Sequence, residues 1–116
     1  MGKNDEKPRM DAKVKTVVFE IDGSGNPVYR PAVLRATVGD TVQWKFPGGA
    51  FAVLFRHTPF AKADFGTGHD HGEVTGLPGV YSYAVALVPI ERVDDQPRKV
   101  GRIVLDAGCP EIIIEK

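Results

Sequence analysis

A chain of 116 residues is bounded to one domain, long enough to bury roughly two-thirds of its surface in a single core. Fifteen acidic residues balance fifteen basic ones, so no net field draws the protein to nucleic acid or to an anionic membrane, both of which are met through basic patches. The balance of 42% apolar and 26% charged residues is that of a globular protein, and no stretch reaches the ~18 consecutive apolar residues of a membrane span.

Residues 1–12 are polar and aperiodic and are expected to form an arm. MGKNDEKPRMDAK carries no apolar secretory core, which points to a cytoplasmic location. From there the apolar residues alternate. VKTVVFEID (14–22) puts Val17, Phe19 and Ile21 on one face, and GSGNP (23–27) breaks it. AVLRATV (32–38) leads into Gly39-Asp40. TVQWKF (41–46) turns Val42, Trp44 and Phe46 inward and Thr41, Gln43 and Lys45 outward. After PGG (47–49), AFAVLFR (50–56) sets Phe51, Val53 and Phe55 on one face. Residues 57–72 show no regular pattern; EVT (73–75), the turn GLPG (76–79) and VYSYAVALV (80–88) follow. A polar loop (89–99), VGRIVLD (100–106) and EIIIE (111–115) complete the chain. Only 57–68 and 89–96 have room for a helical turn. The expected fold is all-β: about seven to nine short strands in an antiparallel Greek-key β-sandwich occupying residues 13–116.

TVGDTVQWKF, then a Phe-rich strand, then a long loop, then GLPGVYSYAVAL and VGRIVLD occur in an order that resembles the cupredoxin family. The family comprises the plastocyanin- and azurin-type sandwiches that carry mononuclear copper. The resemblance covers roughly residues 33–106 and implies that fold. It also implies where a copper site would lie, since thiolate and imidazole ligands select copper and an axial thioether tunes it. The first His is expected near Ala50 and Phe51, the Cys at Val85, and the second His among Leu87, Val88 and Pro89; no Met stands between 89 and 104. Apolar residues at each of these positions remove type 1 copper chemistry and leave the fold.

All three histidines lie in one region, His57 and the GHDHG segment with His69 and His71. Two His at i and i+2 of an extended segment point the same way, roughly 7 Å apart, so His69 and His71 form a candidate pair for a divalent Zn, Ni or Cu ion. His57, Asp64, Asp70 or Glu73 would complete the shell; the plainer alternative is polar loop residues between glycine turns. Phe51, Phe55, Phe60 and Phe65 could stack on bases or sugars. Alternation assigns Phe51 and Phe55 to the core, however, and Phe60 and Phe65 are expected to pin the long loop.

Signs of an enzyme are few. Ser24 sits in a turn and Ser82 in mid-strand, and there is no nucleophile elbow, P-loop or dinucleotide fingerprint. Cys109 is the sole cysteine, which excludes an internal disulfide; its acidic neighbours raise a thiol pKa, so it reads as an apolar filler. Glu91, Arg92, Asp94 and Asp95 read as a solvated loop face. Binding is left. Ile112, Ile113 and Ile114 are apolar on both strand faces, so their strand is either central or covered. At an edge it would pair with a second copy or a partner protein. The resulting expectation is a non-enzymatic, cofactor-free binding module without type 1 copper; the alternative is a metal-binding protein using His57, His69 and His71.

Overall fold

A computed structural model describes residues 12–93, 96–108 and 110–116. The expected arm therefore lies outside the described residues except for Ala12, as do Asp94, Asp95 and Cys109. The described chain contains no helix and eleven strands: β1 (Val14–Ile21), β2 (Pro27–Arg30), β3 (Val33–Thr37), β4 (Thr41–Lys45), β5 (Gly49–Phe55), β6 (Asp64–Gly66), β7 (His71–Glu73), β8 (Gly79–Val93), β9 (Gln96–Val100), β10 (Val104–Asp106) and β11 (Glu111–Glu115). One sheet has the order β2-β1-β4-β7. The other runs β3-β11-β8-β5-β6, with β9 and β10 also paired to β8.

The all-β expectation is met, and the two sheets pack as a sandwich on one core. Alternation places that core correctly: Val17, Phe19, Val42, Trp44, Phe46, Phe51, Val53 and Phe55 are buried, and Tyr83, Val85 and Leu87 close it from β8. Such interdigitated burial at roughly 25 cal/mol per Å² of apolar area is the main force holding the sheets together.

Three details differ from the sequence reading. The sheets are mixed, because β1 pairs with β4 and β3 with β11 in parallel, connections that alternation within a strand cannot reveal. Three short strands were not anticipated. PVYR forms β2 against β1 across a turn in which Asp22 Oδ1 accepts the Ser24 and Asn26 N–H groups. The patternless region contributes β6 to one sheet and β7 to the other, each too short to register as alternation.

The third difference concerns residues 89–93 and 96–99, which are strand where a loop was expected. β8 continues to Val93 and β9 returns against it as a hairpin, with a register shift between Glu91 and Arg92. The chain then runs back along one edge of β8 in three pieces. β9 pairs at 90–93, β10 at 85–87 and β11 at 79–82. The strand expected over 100–106 is therefore interrupted at 101–103.

Candidate functional site

The histidines do not come together as the extended-segment reading requires. Gly66 and His69 exchange backbone hydrogen bonds in both directions, folding Thr67 and Gly68 into a two-residue turn in which Gly68 has φ +91°. The chain then crosses between sheets: Asp70 O accepts the Trp44 N–H and His71 opens β7 opposite Gln43. His69 thus stays beside β6, with Nε2 at 3.9 Å from Asp64 Oδ2, whereas His71 Nδ1 is 3.0 Å from Asp70 Oδ1. The His71 hydrogen bond holds the Asp70 pKa below its ordinary value against the opposing effect of burial, helped by Gln43. His57 is exposed past the end of β5. Among the described residues, no group of three or more His, Cys, Asp or Glu side chains is placed to hold a metal ion.

The positions at which the family resemblance would put copper ligands lie in the core or beside it. Phe51 pairs with Leu87, Val53 with Val85 and Ala50 with Val88 across β5 and β8. Phe51, Val85 and Leu87 are buried side chains between the sheets, with no donor atom to offer.

The aromatics form packing. Trp44 is ringed by Phe65, Phe60, Tyr83 and Phe55 at centroid distances of 4.8, 5.7, 5.8 and 6.1 Å. Phe60 and Phe65 do pin the 57–72 segment, and neither offers a face to a base. Two polar atoms are left over in this cluster, Trp44 Nε1 and Tyr83 Oη, both buried without a hydrogen-bond partner. Desolvation pushes the Tyr83 phenol up to about 12; the nearby indole N–H tempers the rise without reaching hydrogen-bond geometry, and the Asp106 charge adds to it.

The Ile112–Ile114 strand is central. β11 lies between β3 and β8, so both of its backbone edges are occupied and it cannot extend a sheet into another chain. Ile112 and Ile114 face the core, and Ile113 is half-buried on the outer face. Of the positions open to three consecutive isoleucines, the central one is found, and the edge position on which pairing with a second copy depended is not.

Sequence reasoning missed the outer face of the larger sheet. Ala52 pairs with Ala86 and Leu54 with Ala84 across β5 and β8, and Leu105 of β10 pairs with Ala86 on the other side. These side chains face away from the core, and Leu54 and Leu105 are 58% and 75% exposed. Two adjoining depressions there, about 470 and 550 Å³, share Leu54, Ala84 and Ala107; Arg56 and Ser82 line the far end. The signal for this surface is in the chain: 50–55 and 83–88 are apolar on both faces of their strands, more than a one-sided core requires. Comparison with protein-family models and with curated proteins finds no match for this chain.

Proposed function

We propose that this protein is a cupredoxin-like sandwich without a type 1 copper site that acts as a non-enzymatic binding module. The observation that carries the reading is the exposed apolar depression on the β5–β8–β10 face, since small ligands are held in apolar concavities edged by a few polar groups. The apolar filling of the would-be ligand positions, Phe51, Val85 and Leu87, supports the copper-free part of the reading.

The alternative, metal held by His57, His69 and His71, has no observation in its favour, because His69 and His71 turn to different carboxylates. Native mass spectrometry of the untagged protein after exposure to Cu²⁺, Zn²⁺ and Ni²⁺ tests the choice. The expected spectrum is metal-free after desalting. Stoichiometric metal that disappears in a His69→Ala/His71→Ala variant would replace the binding module with a metalloprotein.

A further inference from the structure

We propose that the trough on the outer face of the larger sheet binds a monoanionic amphiphile, an unbranched alkyl chain ending in a carboxylate. The proposal rests on the binding-module reading and names the ligand class.

The floor of the trough is made by Ala52, Ala84 and Ala86, whose small side chains keep it open, and the walls by Leu54 and Leu105. From Ala86 to Ser82 the floor runs four residues along β8, about 13 Å at 3.3 Å per residue. A straight alkyl chain lying along β8 would cover both leucines, apolar surface that water otherwise contacts.

One end of the trough is charged. Arg56 projects from the same face two residues beyond Leu54 and lines the end together with Ser82. Among the described residues it makes no ion pair or hydrogen bond. None of the nearby carboxylates is paired with it: Asp64, in register with Leu54 on β6, stands 3.9 Å from the His69 imidazole. Asp106 accepts the Tyr29 hydroxyl at 2.6 Å and the Gly108 N–H at 3.1 Å. Glu111 is in register with Ser82, two strand spacings or roughly 10 Å from Arg56 across the sheet. An unpaired guanidinium closing an apolar trough selects an anionic head over a neutral or cationic one.

Area decides against a second copy of the chain as occupant. The apolar strip spans β5, β8 and β10 over the length of β10, on the order of 200 Å², against ~800 Å² per partner for a stable dimer. Polar groups bound it on both sides: Asp64 on β6, and Glu111 and the Arg35–Glu115 ion pair on β11 and β3. Depressions of about 470 and 550 Å³ match the scale of small-molecule sites.

The test is amide NMR of the full chain titrated with dodecanoate below its micelle-forming concentration, with dodecanol and dodecylammonium as controls of equal length. Saturable shifts confined to residues 52–56, 82–86 and 104–107 are expected, with dodecanoate bound about fivefold more tightly than dodecanol. Arg56→Gln should abolish that preference while leaving the spectrum otherwise intact. Ala84→Leu, which fills the floor, should weaken binding about tenfold. The proposal is overturned by an absence of saturable shifts, by equal affinity for the three amphiphiles, or by shifts at the same amides that grow with protein concentration alone, which would mark a second copy. Failure here leaves the binding-module reading standing; that reading falls only if the metal experiment loads the protein.

Discussion

Asp40 is the one buried charged residue of the described core, and its position explains the Gly39-Asp40 turn. Oδ1 accepts the Lys13 N–H at 3.0 Å and Oδ2 accepts the Thr37 N–H at 3.0 Å, tying the entry of β1 to the β3–β4 connection. Gly39 takes φ +99°, a conformation that costs another residue about 1–2 kcal/mol. Burial alone would raise the Asp40 pKa. The Thr37 and Lys13 backbone donors, the Lys15 charge and the Thr37 hydroxyl outweigh it, and the net shift is downward from 3.8. A depressed folded-state pKa stabilises the protein above the unfolded value, and that contribution fades as pH falls through the folded one. Asp40→Ala, which strands these donors, is expected to cost about 1–3 kcal/mol in urea unfolding at pH 7, and the difference from wild type should shrink below pH 4.

Tyr83 gives the opposite expectation. Its hydroxyl is buried without a partner, so Tyr83→Phe should be neutral or stabilising by up to about 1 kcal/mol, unlike most large core substitutions. A phenol raised from 10.0 to about 12 contributes stability below pH 10 that is lost as pH rises toward 12. Phenylalanine should remove that part of the alkaline decline, as thermal melts of the two proteins between pH 9 and 12 would show.

At the scale of the element, β11 and β5 each carry a sharp expectation. Ile112 is fully buried and Ile113 faces outward, so Ile112→Ala should cost about 2–5 kcal/mol and Ile113→Ala well under half as much. Comparable losses at both positions, read by chemical denaturation, would contradict the assigned faces. Gly49 opens β5 where the backbone passes close to β8. A Cβ there would collide with the Val88 carbonyl oxygen and sit 2.8 Å from the Ile90 nitrogen. Gly49→Ala is therefore expected to destabilise by about 1–3 kcal/mol through backbone displacement, despite its small size. The element scale also shows where sequence reading stops. Strands of five or more residues with one apolar face, such as β4, were legible, whereas β6 and β7 are three residues each and leave no period to detect. The β8–β9 hairpin was missed because its charges and Pro97 read as a loop when pairing with β8 is unseen.

For the whole molecule, Trp44 serves as a single internal reporter. It is the only tryptophan, it comes from one sheet, and it touches rings carried by β5, β6 and β8 of the other. Both sheets share one core, so tryptophan fluorescence and far-UV circular dichroism should trace one coincident unfolding transition. Separate midpoints would show that the sheets come apart independently. Four of the edge strands offer little to pair with: β2, β6 and β7 have four residues or fewer, and Lys15 Nζ donates to the Arg35 carbonyl of β3.

The all-β class, the inward face of each long strand and the apolar residues where the cupredoxin resemblance would put copper ligands are legible in the sequence. Each follows from local alternation or from residue identity, which need no knowledge of neighbours. Tertiary structure alone decided which strands adjoin. It left His69 bridged to the end of β6 and put His71 into β7 of the other sheet, placed the isoleucine strand between β3 and β8, and brought Ala52, Leu54, Ala84, Ala86 and Leu105 onto one outer face. Hydrogen bonding between strands distant in the chain makes those choices, and the period of a single strand carries no record of its partner.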